Sequence, residues 1–369
     1  MPHSSSLSEK HASLKEKQGS PSYVFSDNVA AKIAAKVIEN RTNPSTPIIE
    51  YNPGPALLTR KLFKLGARQI IGIERKKEFL PYLKNVQETF GRDKFVFYNW
   101  DPFMGNLTDM RKMDKLHQNE MKSFHNIKSQ QWANDPYASI VGILNPLKSQ
   151  VFLNLLQIFL GSKESLYSYG RPEMFLLVPV KNYRLMIVKD PTQELWTYGR
   201  VSSIWNLFFD IETLLEIHKS DVFPPFPAKR HLRCESKAFG TVNKDSLYLV
   251  KIIPKKYLNP VTNCSEEYSR FFTFLSQITK NKSHRLIPKL ESWIPGSGLH
   301  LIRMGFNMLH VTGDILPHKY LEMYQELRNL PEFKGSSLDA ILFSPSTDNE
   351  SRSSKNIDQA NQTDHLPLD

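Results

Sequence analysis

The sequence predicts an α/β fold, a parallel sheet with helices on both faces, followed by a small α-helical unit. Three observations predict it. Residues 48–74 spell a strand–loop–helix–strand unit with Pro53-Gly54-Pro55 in its loop. Short apolar runs then alternate with segments of helical periodicity to about residue 255. Beyond about residue 260 the texture turns helical.

The first helix is announced by SDNVAAKIAAKVI, where Val29, Ile33 and Val37 stand four apart on one apolar face. Ser26 or Asp27 caps its first turn by accepting backbone N–H groups that would otherwise be orphaned. TPIIEYNPGP reads as a buried strand running into a turn. ALLTRKLFKLGA is expected to be a helix with Leu58, Leu62 and Leu65 on one face and Gly66 at its end. RQIIGIE is a second strand. FLPYLKNVQETFG is a helix with Pro81 in its first turn, where a missing N–H is tolerated. KFVFYNWDP is a third strand with alternating aromatics. Residues 106–136, rich in Lys, His, Asn, Gln and Met, interrupt the alternation and read as an insertion or a surface helix. The pattern resumes with ASIVGIL as a strand and SQVFLNLLQIFL as a helix. EMFLLVPV is a further strand, NYRLMIV starts a helix, and SLYLVKIIP is a late strand. EEYSRFFTFLSQITK, with Tyr268, Phe272 and Leu275 at helical spacing, and KYLEMYQELRNL supply helices to the last unit. The expected organisation is a disordered segment over 1–21, an α/β domain over 22–261, a helical domain over 262–343 and a disordered polar tail over 344–369.

The 369 residues are 40% hydrophobic and 11% aromatic, enough for one sizeable core and a smaller second unit. A net charge of +11 points to a polyanionic partner, nucleic acid first; a scattered solvated basic surface is the alternative. Cys234 and Cys264 lack Cys-x-x-Cys spacing and histidine partners at zinc-ligand offsets, so neither a disulfide framework nor a metal site is expected. A reducing compartment fits. No apolar run approaches the roughly 20 residues of a membrane span, and no membrane partner is expected. The N-terminus lacks the apolar segment of a secretory signal. Its Ser and Lys content partly suits mitochondrial targeting, whereas Glu9, Glu16 and the lack of Arg before residue 20 suit a plain tail.

In open α/β sheets a ligand lies beyond the carboxyl ends of the strands. Three features fall there. Gly54, in a strand-to-helix turn, lets backbone approach a ligand closely. Glu74 ends the second strand 20 residues later, where a carboxylate can accept both ribose hydroxyls of an adenosine cofactor. Asp101 ends the third strand, in reach of an adenine amino group. Singly these are an ordinary turn, a solvated acid and a turn-former. In this order they point to a nucleotide-type pocket. The loop lacks G-x-G-x-x-G, so S-adenosylmethionine fits better than a dinucleotide.

EYNPGPALLT resembles the E-x-G-P-G-x-G-x-L-T motif of the rRNA adenine dimethyltransferases and their mitochondrial transcription factor B relatives. It keeps Glu50, Pro53, Gly54, Leu58 and Thr59; Asn52 and Ala56 replace the flanking glycines. YVFSDNVAAKI resembles the family's cofactor-covering segment N-F-L-x-D through Phe25 and Asp27. Tyr198-Gly199-Arg200-Val201-Ser202 and Phe223-Pro-Pro-Phe-Pro227 resemble its Y-G-R-L-S and F-x-P-x-P segments. The resemblance spans about residues 22–255. It implies a class I S-adenosylmethionine-dependent methyltransferase (Rossmann-like) sheet, with Phe25, Asn52, Gly54, Glu74, Asp101 and Asn145 around the cofactor. Asn52 adds atoms toward the methionine end of that cofactor, Ala56 only a methyl group.

The family's catalytic motif resembles G-N-L-P-Y, whose Asn and Pro carbonyl hold the adenine amino group and whose Tyr stacks on the flipped-out base. Here the segment is Gly142-Ile143-Leu144-Asn145-Pro146-Leu147. Without a gap, Ile143 stands at the Asn and Pro146 at the Tyr. A shifted register puts Asn145-Pro146 in place but still lacks the aromatic. Either way the stacking ring is lost, and weak or absent methyl transfer is inferred.

That pattern resembles the fungal mitochondrial transcription factors of this family, whose Asp-Pro-aromatic element is matched by NWDPFMGNL. The resemblance implies a monomer in the mitochondrial matrix that gives promoter recognition and melting to a single-subunit, phage-like mitochondrial RNA polymerase. Promoter DNA, through its template strand, is the partner, with RNA as a further one. The rivals are an active rRNA adenine N6-dimethyltransferase using Asn145 and a catalytically silent rRNA-binding assembly factor. Melting needs basic groups for the backbone and aromatics for unpaired bases. Candidates are Lys280, Lys282, His284 and Arg285 with Trp293, and a second cluster of Lys229, Arg230, His231 and Arg233; a solvated loop is the alternative for each.

Overall fold

The computed structural model describes residues 22–98, 129–143, 169–191, 198–223, 245–256 and 265–343. Asp101, Asn145, Lys229, Arg230, Arg233, most of the expected insertion, the helix expected at SQVFLNLLQIFL and both terminal segments lie outside them. The chain divides into two compact units, Met1–Ser269 with Gly313–Tyr320, and Arg270–Thr312 with Leu321–Asp369.

The first unit is built on seven strands: β2 (Ile48–Tyr51), β3 (Ile70–Ile73), β4 (Phe95–Tyr98), β5 (Ser139–Ile143), β6 (Glu173–Pro179), β7 (Phe209–His218) and β9 (Ser246–Pro254). Their order across the sheet is β4-β3-β2-β5-β6-β9-β7. The first five are parallel, with Ile48 opposite both Ile70 and Ser139. β9 runs antiparallel to β6, and β7 antiparallel to β9. Outside this sheet, β1 (Tyr23–Val24) pairs antiparallel with β8 (Val222–Phe223).

The parallel strands are largely apolar, as expected of strands buried on both faces, whereas the antiparallel edge strand β7 carries Asp210, Glu212 and Glu216. Helix α1 (Asp27–Asn40) is capped by the Ser26 side chain, which accepts the Val29 N–H. It buries Val29, Ile33 and Val37, as their spacing predicts. These pack in one cluster with Leu58, Leu62 and Phe63 of α2 (Leu57–Lys64), and with Ile48, Ile70, Phe95 and Val141 of the sheet. Each such side chain contributes about 1.5–3 kcal/mol through burial. Helix α3 (Leu80–Phe90) carries Pro81 in its first turn. The helix α4 (Val180–Ile187) follows β6 directly.

At the amino ends of β5 and β6 lies a buried polar network. Glu173 accepts hydrogen bonds from the Ser139 hydroxyl (2.7 Å), the Thr42 hydroxyl (2.7 Å) and the Thr42 N–H (3.0 Å). Arg41 donates to Ser139 Oγ (2.9 Å) and to the Thr46 carbonyl. Lys251 Nζ of β9 stands 3.7 Å from Glu173.

The second unit is helical. Residues 270–278 of α6 (Ser265–Ile278) bury Phe271, Phe274, Leu275 and Ile278, and Tyr324 of α9 (Pro317–Asn329) sets its ring 5.3 Å from Phe271 and 5.4 Å from Phe274. The helices α7 (Leu286–Glu291), α8 (Ser297–Arg303) and α10 (Ser337–Phe343) complete it. No helix among the described residues is long and apolar enough to cross a membrane.

Two side chains depart from the expected faces. Leu65 is exposed, because α2 ends at Lys64 and Leu65 is its C-cap; Phe63 takes the inward place instead. Phe272 is only half-buried, since the inward face of α6 runs through 271, 274, 275 and 278. The sequence pattern also does not announce α5 (Arg200–Phe208) or β7, which follow one another without a turn. An irregularity between Thr213 and Leu215 breaks the period-two alternation by which β7 would be recognised.

Candidate functional site

The order of the parallel strands reverses at β2, which has β3 on one side and β5 on the other. A ligand crevice belongs at the carboxyl ends there. The sequence brings Glu50 and Tyr51, Glu74, and Gly142 with Ile143 to these ends.

The turn between β2 and α2 contains three left-handed residues, Asn52 (φ 51), Gly54 (φ 57) and Ala56 (φ 60). They are the three positions at which the resembling motif carries glycine. Asn tolerates this conformation; a Cβ-bearing Ala in it costs roughly 1–2 kcal/mol. The turn is held from outside. Asn52 N–H donates to the Ile73 carbonyl (2.9 Å), and Gly54 N–H donates to Glu74 Oε2 (3.0 Å). At Gly142, an added Cβ would lie 2.8 Å from Tyr51 Cβ and 3.4 Å from its carbonyl oxygen, so glycine lets the ends of β2 and β5 lie this close.

Glu74 is fully buried. Its Oε1 accepts the Lys76 N–H (2.8 Å) and, at 3.4 Å, the Tyr23 hydroxyl. Burial pushes its pKa up to about 7, against the stabilising hydrogen bonds from Lys76, Gly54 and Tyr23. Burial pushes Glu50 further, to about 8; the Thr59 hydroxyl opposes this and the Glu74 charge adds to it. Among the described residues Glu50 Oε2 has no hydrogen-bond partner.

The donor types fit an adenosine cofactor: a carboxylate at the end of β3, an open left-handed turn beside it and an orphaned carboxyl oxygen beneath. The mouth of the turn, however, is lined by Tyr23. A Cβ at Gly54 would lie 2.4 Å from Tyr23 Cδ1. Phe25, expected beside the cofactor, is buried in a cluster with Tyr23 and Phe79. Tyr23 is not singled out by the sequence motifs; its place two residues before Phe25, in the covering segment, is the signal that marks it.

Asn52, Gly54 and Glu74 thus come together, with Phe25 in the adjoining cluster. In the second unit, Lys280 and Arg285 are exposed and Lys282 is half-buried, with its pKa lowered by burial. The Arg285 guanidinium donates to the Leu309 carbonyl. Trp293 is not the exposed platform the sequence suggests. It is buried, with Lys289 Nζ 4.4 Å above its ring, so no base can stack on it as it stands. The Tyr198-Gly199-Arg200 segment opens α5: the buried Tyr198 hydroxyl donates to the Ile315 carbonyl, and Ser202 Oγ accepts the Gly199 N–H (2.7 Å).

A sequence profile described as "Ribosomal RNA adenine dimethylase" matches residues 12–329. The chain is 26% identical to mitochondrial dimethyladenosine transferase 2 of Mus musculus over 336 residues, 88% of this chain and 81% of that protein. It is 27% identical to the Bos taurus protein of the same name over 320 residues, 85% and 78% of the two chains. Among solved structures, a dimethyladenosine transferase from Plasmodium falciparum superposes with a TM-score of 0.50 at 13% identity, covering 80% of this chain and 95% of that one. The shared fold is the class I S-adenosylmethionine-dependent methyltransferase fold.

Proposed function

The chain belongs to the ribosomal RNA adenine dimethylase family, and on that premise we propose that it is a mitochondrial transcription initiation factor rather than a working methyltransferase. It confers promoter recognition and melting on a single-subunit mitochondrial RNA polymerase in the matrix, acting as a monomer on the template strand. The mitochondrial names of its relatives support the compartment.

The observation that carries this reading is the segment Gly142-Ile143-Leu144-Asn145-Pro146-Leu147, which has no aromatic where the family's motif carries the Tyr that stacks on the target base. In the ungapped register Ile143, at the carboxyl end of β5, stands at the motif's Asn; in the shifted register Asn145 takes that place, and the ring is missing in both. A hydrocarbon side chain accepts no hydrogen bond from an exocyclic amine. S-adenosylmethionine, when bound in this fold, supplies an electrophilic methyl group. Glu74 and Gly54 supply the polar groups suited to its ribose, but without an aromatic in the 142–147 segment the acceptor base has no ring to hold it in either register. The net charge of +11 suits a nucleic-acid partner with or without chemistry.

Run-off transcription from a mitochondrial promoter, with the cognate polymerase and with or without this chain, tests the reading. Start-site-specific transcripts are expected only with the chain present. Equal transcripts in its absence would overturn the proposal. The rival, an active RNA adenine N6-dimethyltransferase, is favoured by the retained Glu74–Gly54 hydrogen bond. It requires dimethyladenosine to form on small-subunit rRNA from labelled S-adenosylmethionine.

A further inference from the structure

We infer that Tyr23 is a built-in occupant of the cofactor's ribose position, so that an adenosine cofactor binds this chain only by displacing β1. The inference rests on the family's cofactor site at Glu74 and not on the transcription reading, and its test uses no polymerase.

Four observations converge on this side chain. First, its hydroxyl is directed at Glu74 Oε1 (3.4 Å), the carboxylate whose place at the end of the second strand suits it to accept ribose hydroxyls. A phenol donating to that carboxylate reproduces the hydrogen bond a ribose hydroxyl would make. Second, its ring lies against Gly54 so closely that the space for a single methyl group is gone. Backbone that glycine leaves open to a ligand is covered by this chain itself. Third, the ring is held in place: Phe79 stands 4.6 Å away in a tilted contact, and Lys76 Nζ lies 5.6 Å from its centroid. Burial and the Glu74 charge both raise the Tyr23 pKa, so the phenol stays a donor.

The fourth observation concerns the anchor. Tyr23 belongs to a two-residue strand outside the main sheet, paired among the described residues through Tyr23–Phe223 and Val24–Val222. Its pairing lies outside the seven-stranded sheet, so β1 can separate from β8 without breaking that ladder. Packing opposes its release, since Val24 and Val222 belong to the main core cluster and Phe25 to that of Tyr23 and Phe79, so a ligand that displaces β1 binds more weakly by that cost. Removing Tyr23 exposes the Gly54 backbone and opens one acceptor position on Glu74 Oε1, which keeps its Lys76 N–H bond while Oε2 keeps that of Gly54.

Calorimetric titration of the full chain with S-adenosylhomocysteine tests the inference. Tyr23→Ala is expected to bind about tenfold more tightly than the wild type, or to bind where the wild type does not. Tyr23→Phe, which keeps the ring over Gly54 and loses only the phenol, stays within about threefold of the wild type. Tyr23→Leu retains an apolar surface for Phe79 but cannot reach Glu74; it serves if the alanine variant unfolds, and is expected to bind like the alanine variant. A folded Tyr23→Ala or Tyr23→Leu chain that binds no better than the wild type overturns the inference, and so does the absence of binding in every variant. Where the wild type binds, hydrogen exchange gives an independent reading: the amides of residues 22–25 and 222–223 must lose protection as ligand saturates. Binding with unchanged protection there also overturns it.

Discussion

Ala56 carries a methyl group in a left-handed backbone conformation, with no hydrogen bond from its side chain to offset the strain. Replacing it with glycine relieves that strain but gives up a methyl group buried in the main core cluster. The strain relief of about 1–2 kcal/mol is offset by about 0.8 kcal/mol of lost methyl burial and by the freedom glycine adds to the unfolded chain. Ala56→Gly is therefore expected to stay within about 1 kcal/mol of the wild type, read as a urea midpoint little changed at unchanged slope. Gly54→Ala is destabilising, because its φ is left-handed and Tyr23 occupies the space; a loss of at least about 2 kcal/mol is expected. Glu50 makes the site sensitive to pH. Its folded pKa of about 8 lies above the roughly 4.3 of an unfolded glutamate, so the folded state binds the proton more tightly. That contribution is full below about pH 4.3 and is lost as pH rises through about 8. Glu50→Gln stays neutral throughout. Its stability relative to the wild type should therefore improve steadily from about pH 5 to pH 8; a difference independent of pH would contradict the buried, protonated carboxyl. Gly54 and Glu74 are legible in the sequence because a turn glycine and a strand-end acid keep their meaning in any doubly wound sheet. Tyr23 is not, because a ring's role depends on which surface the fold brings beneath it.

At the level of elements, the β5–β6 edge is joined to α1 by polar atoms as well as by packing. Glu173 is fully buried and takes hydrogen bonds from Ser139 and Thr42, with Arg41 behind Ser139. Removing the acid leaves Arg41 and Lys251 without a buried counter-charge, and such losses run to about 3–5 kcal/mol. Glu173→Ala should therefore lower the denaturation midpoint far more than an exposed substitution such as Glu39→Ala, measured side by side. The sequence alone gives no hint of this network, since Thr42 and Glu173 stand 131 positions apart, with Ser139 between them, and only strand pairing brings them together. The helices α1, α2 and α3 are legible because their apolar spacing, caps and Pro81 are local signals. The antiparallel partner β7 is not. It lies at the sheet edge with mostly exposed or half-buried side chains, and its alternation is interrupted where Thr213 meets the irregularity.

For the molecule as a whole, the charge of +11 is the property most visible before folding. The loop before α7 displays part of it. Lys280 is exposed, while Lys282 is half-buried and its pKa is lowered by that burial. Charge reversal at both is expected to weaken binding to a promoter duplex and to flatten the dependence of log K on log salt, by about 0.9 for each phosphate left without its cation. Lys280→Glu alone should account for most of the effect. Unchanged affinity and slope would remove this loop from the nucleic-acid surface. The fold class and the order of its motifs were readable from the sequence because both are carried by short, ordered signals along the chain.

The turn over residues 52–56 has kept a glycine path while keeping only one of the three glycines that the family's motif sets there. Its shape is imposed by the Ile73 carbonyl and the Glu74 carboxylate rather than chosen by its own residues. The frame therefore does not depend on which side chains stand at 52 and 56. Asn52→Gly and Ala56→Gly can be introduced in either order, each intermediate keeping the same frame, and the steps can be watched one at a time. This chain is thus a workable bench system for asking how much each glycine of such a turn matters to the binding of an adenosine cofactor.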